Sequence, residues 1–254
     1  MIQKPKKLIQ SVERSLDILE HLSCEKDGWR ITSLARILNL RVSTVHNLMK
    51  TLVHRNYVEQ DNQTLKYKLG YKSFYLSQSY SGKDNLISLT KKHLEKLNKA
   101  CNDLVFLGIL EDNDLVCLAT VKSSRPLSVN PNQVWTNKLH CTAAGKIVLA
   151  DCSLKELRLI VKKHGLPEFT KKTITDFEKL QLELAKVRKQ GYATAFEESV
   201  EGISAIGVPI KDVSGHVMAS LAIGTPTVRM NSIRKKIILE MLNKTTTDIS
   251  LSLR

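Results

Sequence analysis

No run of apolar residues in this 254-residue chain approaches the length needed to cross a bilayer, and the first ten residues, MIQKPKKLIQ, lack a signal-peptide core. Cysteine is sparse. The five, Cys24, Cys101, Cys117, Cys141 and Cys152, are odd in number and widely spaced, with no C-x-x-C, the pattern of reduced thiols in the cytoplasm. His140-Cys141 with Cys152 is the one grouping with metal-ligating chemistry, and separately buried small side chains account for it better, so neither metal nor cofactor is expected. Catalytic signatures are also missing: no G-x-S-x-G, H-E-x-x-H or G-x-G-x-x-G occurs. Gly145-Lys146 lacks the upstream glycine and the following Ser or Thr of a phosphate-binding loop. Glu197 and Glu198 are adjacent, and neighbours on a strand point to opposite faces, which makes them poor partners for acid–base work. An enzyme is not expected.

One further absence is local. From Arg30 to Arg55 there is no Asp or Glu. Within this window the pattern predicts a short helix over Ser33–Leu38, capped by Thr32 or Ser33, and a break at Asn39-Leu40. A second helix follows to about Arg55, with Ser43 offering its hydroxyl as N-cap. Val45, Leu48, Met49, Leu52 and Val53 share its inner face. The outer face carries Thr44, His46, Asn47, Lys50, Thr51 and His54, polar and cationic. Asn and Thr suit base edges or phosphates, whereas Lys50 and Arg41 suit the phosphate backbone. Tyr57–Gln60, a turn at Asp61–Gln63 and Leu65–Lys68 then read as strand, turn, strand. The second strand sets Leu65, Tyr67 and Leu69 against Lys66 and Lys68, so a lysine-bearing wing follows the helix pair. Together these features predict a winged helix–turn–helix that binds nucleic acid.

The net charge of +14 favours an anionic partner without localising it. Residues 1–80 hold 13 Lys and Arg against 7 Asp and Glu, a surplus of 6, which leaves 8 for residues 81–254. Residues 9–23 form an amphipathic helix, with Val12, Leu16, Leu19 and Leu22 inward and Ser11 as cap. Residues 71–80 look helical up to a break at Ser81-Gly82, and a second helix runs from Leu86 to Cys101. The apolar stripe of that second helix serves either a linker that also dimerises or packing on its own C-terminal domain. Beyond Asp103 the texture turns to β. A hairpin of buried strands over Leu104–Leu110 and Leu115–Val121 precedes helices near Cys141–Ala150, Ser153–Lys163 and Thr175–Lys189, the last closed by Gly191. Strands at Tyr192–Phe196, Ile203–Lys211 and His216–Gly224 and a final helix from Ser232 complete an α+β domain, one antiparallel sheet with helices to one side.

Four stretches in this order, SVERSLDILEHL, ITSLARILNLRVSTVHNLMKTLVHRNYVEQ…YKLG, LHCTAAGKIVLA and GYATAFEESVEGISAIGVPIKDVSGHVMASLAIGTP, resemble bacterial transcription regulators of the IclR family along nearly the whole chain. The resemblance implies a winged helix–turn–helix over residues 1–70, a linker helix over 71–83, and a GAF/PAS-like effector-binding domain over 84–254. It implies a dimer or tetramer on a palindromic double-stranded DNA operator, with no membrane partner. It also implies a pocket for a small-molecule effector, an organic or aromatic acid among the candidates. That pocket would lie beside Thr142, Ala143 and Ala144, the backbone amides of the two alanines holding a carboxylate, and be completed around Ala195, Ser204, Ala205, Ser220, Ala222 and Gly224.

The chain departs from similar proteins at several points. Ala195, Ala205, Ala222 and Gly224 stand where members that bind small keto acids have hydrogen-bonding side chains, which points to a larger or less polar ligand, or to one held by Thr142, Ser204, Ser220 and backbone amides. Tight helix–sheet packing is the competing account of these small residues. Asn47 replaces a common basic residue and Val42 a common proline. The DNA contacts implied are Arg41, Ser43, Thr44, His46, Asn47, Lys50, Thr51 and His54, with Lys66 and Lys68 on the flanking backbone. The alternative function is a metabolite sensor acting through protein contacts, its DNA affinity only non-specific.

Overall fold

The computed structural model describes residues 8–23, 25, 27–78, 84–131, 138–212 and 214–252. Within it the chain divides into two compact units, residues 1–84 and 85–254.

In the first unit, helices α1 (Gln10–Ser23), α2 (Ile31–Ile37) and α3 (Val42–His54) pack beside a two-stranded hairpin, β1 (Val58–Gln60) and β2 (Tyr67–Leu69). Ile18, Leu22, Leu34, Ala35, Val45, Met49, Leu52 and Val58 form the core. Helices α2 and α3 both end in a residue of left-handed backbone, Asn39 (φ 51) and Asn56 (φ 62). After each, the amides of the next two residues return to carbonyls of the last turn. Asn39 N–H reaches Arg36 O and Leu40 N–H reaches Ala35 O; Asn56 N–H reaches Val53 O and Tyr57 N–H reaches Leu52 O. These are Schellman closures. Asparagine tolerates the left-handed conformation, so each helix stops where an asparagine follows it. Trp29 exchanges both backbone hydrogen bonds with Tyr67, at 2.9 and 2.8 Å, and ties the entry of α2 to the wing.

Several local expectations change. Arg30 and Arg41 occupy the N-cap positions of α2 and α3, neither with a side-chain cap bond, so Thr32, Ser33 and Ser43 lie inside the first turns. Ser11 likewise lies inside α1. On α1 the buried residues are Ile18 and Leu22, whereas Val12 and Leu16 are about half exposed. Leu65 leaves the predicted strand: its backbone is left-handed (φ 56) and its side chain exposed, because the turn runs on to Lys66. Asp61 organises that turn by accepting the amides of Gln63 (2.9 Å) and Thr64 (2.7 Å).

Helix α4 (Tyr71–Gln78) closes the described part of the first unit; the expected Ser81-Gly82 break lies outside the described residues. The second unit is built on a five-stranded antiparallel sheet ordered β4-β3-β7-β6-β5. Its strands are β3 (Leu104–Glu111), β4 (Asp114–Val121), β5 (Ala193–Phe196), β6 (Ile203–Lys211) and β7 (Val217–Pro226). Alternation divides its side chains. Val105, Leu107, Ile109, Leu221 and Ile223 meet α5 (Asp84–Cys101) and α9 (Ser232–Ser252), while Phe106 and Ala222 meet α6 (Ala143–Asp151) on the other face. Behind α6 pack α7 (Leu154–His164) and α8 (Phe177–Gln190). Helices therefore cover both faces of the sheet, not one, because the central strands are apolar on both sides. The stripe on α5 packs inward: Leu86, Leu94, Leu97 and Cys101 join the core of their own unit. Strand β4 is an edge strand and half exposed, which corrects the expectation of a buried pair.

Caps set the lengths of the remaining helices. Thr142 Oγ1 accepts from Gly145 N–H at the start of α6, Asp176 caps α8, and Ser153 with Glu156 forms a reciprocal capping box on α7. Gly191 ends α8 as expected.

Candidate functional site

Helix α3 buries one stripe and exposes the other. Arg41, Ser43, His46, Asn47, Lys50, Thr51 and His54 are exposed, while Thr44 is half-buried against the unit. Lys66 and Lys68 are half-buried on the wing. Among the described residues none of Arg41, Lys50, Lys66 and Lys68 forms an ion pair, although Glu59 lies across the hairpin from Lys68. The cationic groups of the helix and wing are therefore available to an outside anion. The wing tip, Asn62 to Thr64, adds an exposed polar rim; the expected turn, Asp61–Gln63, covers only its first two residues.

In the second unit a small cavity of about 40 Å³ lies between α6 and the sheet. Thr142, Ala143, Ala144, Ala195, Ala205, Ala222 and Gly224 line it together with Leu104, Phe106, Leu115, Val129, Ser199 and Ile203. The space equals roughly three water molecules at about 10–15 Å³ each. Its walls are apolar apart from Thr142 and Ser199, and the Thr142 hydroxyl is already engaged, accepting from Gly145 N–H (3.1 Å) and donating to Lys138 O (2.9 Å). The N–H groups of Ala143 and Ala144 open α6, so no carbonyl within the helix can accept them.

Two of the nine expected effector residues are not on this lining. Ser204 precedes Ala205 on β6, so it faces the opposite side of the sheet, where its hydroxyl meets Thr227 Oγ1 at 2.8 Å. Ser220 shares the face of Ala222 but sits further along β7, donating to Gly108 O at 3.2 Å. Period-two alternation would have separated Ser204 from Ala205 and found Leu104 and Phe106 as a pair. Val129 and Ser199 lie in irregular segments, where no periodic signal exists.

Tight packing accounts for part of the small-residue pattern as well. A Cβ at Gly207 would lie 3.1 Å from the Ala143 carbonyl, and one at Gly145 would lie 2.2 Å from Leu139 O. Helix α6 thus approaches both the sheet and the preceding turn more closely than larger residues permit.

A buried charge cluster backs the cavity. Lys146 Nζ donates to Glu198 Oε1 (2.7 Å) and Thr194 O (3.1 Å), with Glu183 Oε1 3.6 Å away. Glu198 Oε2 has no partner among the described residues, and burial pushes this carboxyl above its ordinary range against the pull of Lys146. Glu197 and Glu198 lie in the turn after β5 rather than on a strand, Glu197 with left-handed backbone (φ 57). Glu197 faces Lys172, and Glu198 faces Lys146, so the pair is still split between two environments. His140 and the two cysteines engage separate carbonyls: His140 Nε2 meets Pro167 O at 3.1 Å, Cys141 Sγ meets Lys138 O and Cys152 Sγ meets Val148 O. Burial raises the Cys141 thiol to about 12 and lowers the His140 imidazole.

A winged helix–turn–helix with an exposed polar and cationic recognition face, followed by a sheet-and-helix unit enclosing a small apolar cavity, defines a ligand-responsive DNA-binding regulator. Known proteins agree. Residues 11–62 match the IclR helix-turn-helix domain and residues 78–251 the bacterial transcriptional regulator IclR C-terminal domain. The chain belongs to the IclR family: it is a DNA-binding transcriptional regulator whose C-terminal domain binds a small-molecule effector. The HTH-type transcriptional regulator XynR of Escherichia coli is 30% identical over 224 residues, 88% of this chain and 89% of XynR. The crystal structure of the Thermotoga maritima IclR superposes with a TM-score of 0.70 at 25% identity, covering 96% of this chain and 98% of that one. An IclR homologue from Microbacterium hydrocarbonoxydans, crystallised in complex with 4-hydroxybenzoate, shares the fold with a TM-score of 0.73 at 23% identity, covering 96% and 99%.

Proposed function

We propose that the cavity beneath α6 receives a small, weakly polar carboxylic acid, its carboxylate accepting from Ala143 and Ala144 N–H and its body meeting Leu104, Phe106, Leu115 and the alanines. The observation that carries this reading is that the open amides of a helix N-terminus border an otherwise apolar space. Such amides, with the helix dipole, favour an anion, while walls without donors favour an apolar body. The 4-hydroxybenzoate bound by the Microbacterium homologue has this chemistry. At about 40 Å³ the space admits a ring-sized acid only if side chains give way, so binding and rearrangement of the wall occur together.

On the DNA side the reading is a homodimer, or a tetramer made of two, that places α3 of each protomer in the major groove at two half-sites of a palindrome. Asn47 reads a base edge, Arg41, Ser43, Thr44, His46, Lys50, Thr51 and His54 hold base edges and phosphates, and Lys66 and Lys68 track the backbone. The protein acts in the cytoplasm without catalysing a reaction. Effector and DNA are linked because the acid binds one arrangement of the protein better than the other, and the coupling is reciprocal. Calorimetric titration of the full chain with benzoate and 4-hydroxybenzoate, alone and with DNA, tests the reading. Saturable binding that disappears in Ala144→Pro, which removes one amide, is expected. Binding that survives the substitution unchanged overturns the assignment.

A further inference from the structure

On the cavity side of β3 the alternating positions are Leu104, Phe106 and Gly108, and the last has no side chain. The Phe106 ring occupies the space this leaves. A Cβ built at Gly108 would fall 2.5 Å from both Cε1 and Cζ of Phe106 and 3.2 Å from Leu115 Cδ1. The neighbouring strand β4 bulges here, Leu118 being skipped as the register moves from Leu107–Ala119 to Gly108–Cys117, while β3 stays in regular register with β7 and Ser220 Oγ donates to the Gly108 carbonyl at 3.2 Å. Phe106 also packs on Ala144 and Ala222, so its ring forms part of the cavity floor against the opening turn of α6.

We infer that Phe106, parked in the notch over Gly108, sets the depth of the effector cavity and thereby the length of the acid the protein accepts. This rests on the cavity being the effector site. The ring is retracted as far as β3 allows only because position 108 is glycine. A methyl group there moves the ring toward Ala144 and Ala222 and fills a space that holds only about 40 Å³. Shortening Phe106 joins the notch to the cavity and admits a longer body. The notch thus selects short or single-ring acids, and size at the floor rather than a polar contact there discriminates among them, because the floor residues Phe106, Leu115 and Ala222 carry no hydrogen-bonding side-chain atoms.

The test uses the full chain as wild type, Phe106→Leu, Gly108→Ala and the double variant. Each is titrated with butyrate, benzoate and 4-butylbenzoate, with benzene as the uncharged probe, and the ligand-induced shift of the thermal midpoint is read. The longest ligand accepted grows in Phe106→Leu, the shifts vanish in Gly108→Ala, and they return in the double variant because the ring that clashed is gone. A structural defect at position 108 would not be repaired by Phe106→Leu, so lost shifts that stay lost in the double variant overturn the inference. So does one and the same response in all four proteins. If benzene follows the pattern and the carboxylates do not, the notch stands and the amide-held carboxylate falls.

Discussion

Lys146 Nζ lies 2.7 Å from Glu198 Oε1 inside the second unit, the lysine side chain only 1% exposed, so a single ion pair ties α6 to the turn that walls the cavity. Removing one partner of a buried pair leaves the other charge uncompensated, which typically costs about 3–5 kcal/mol. Lys146→Met is expected to lower the thermal midpoint by about 10 °C, at roughly 2–4 °C per kcal/mol for a domain of this size. Calorimetry checks this, and a midpoint within about a degree of wild type would show the pair to be dispensable.

The same carboxyl gives a pH signature. Burial raises Glu198 above its ordinary 4.5, so the folded protein keeps this proton at pH values where the unfolded chain has lost it. The stabilising contribution is present below 4.5 and is lost as pH rises through the raised value. Glu198→Gln therefore removes a downward slope of stability between pH 4.5 and the folded value, read from urea midpoints across that range. Parallel curves for the two proteins would contradict this.

His140 acts in the opposite sense. Burial depresses its imidazole below the ordinary 6.5, and its contribution is present above 6.5 and lost as pH falls toward the folded value. His140→Gln is expected to flatten the acid side of the stability profile below pH 6.5. A second set of urea midpoints, with the Glu198→Gln background, separates the two effects.

Gly145 stands where a Cβ would press on backbone, 2.2 Å from Leu139 O and 2.5 Å from Leu139 Cα. Backbone cannot step aside as a flexible side chain can. Gly145→Ala is expected to destabilise the second unit by about 1–3 kcal/mol and to loosen the Thr142 cap. Hydrogen exchange of the amide at position 145 in both proteins reports the cap directly, and unchanged protection would refute the prediction.

Lys66 and Lys68 are assigned to the phosphate backbone and Asn47 to a base edge, so their substitutions separate. Lys66→Ala is expected to weaken binding to all sequences and to reduce the salt slope by about 1, while Asn47→Ala costs about 1–3 kcal/mol on the preferred sequence alone. Competition binding with specific and random duplexes at several salt concentrations distinguishes them. Equal effects on every sequence from both variants would end the division of roles.

Helices and strands were legible where a physical rule acts locally, whereas the strand order and the helices on the second face of the sheet were not. Asn39 and Gly191 mark real helix ends, and the spacing of Val45, Met49 and Leu52 identifies the buried stripe of α3. Caps were read less well at Ser43, because Val42 already has helical geometry and places Arg41 at the cap. Leu65 looked like a strand residue by alternation alone, and the hydrogen bonds that Asp61 makes across the turn decided otherwise. The cavity was legible as a cluster of small residues, but its apolar floor was not. Phe106 and Leu115 come from the β3–β4 hairpin but meet Ala144 and Ala222 only through the folded sheet, and Val129 arrives from an irregular segment, so the floor joins residues far apart in sequence. Ser204 was misplaced by a single residue, which on a strand is the difference between two faces of the sheet.

The most direct measurement of the central claim, that α3 and the wing read DNA in a symmetric pair, is selection of bound duplexes from a random-sequence library by the full chain near 0.1 M salt. The account predicts an enriched palindrome, its two half-sites about one helical turn or a multiple apart, with one position per half-site relaxed in Asn47→Ala. An unenriched pool, bound with the same affinity and salt dependence whatever its sequence, would contradict it.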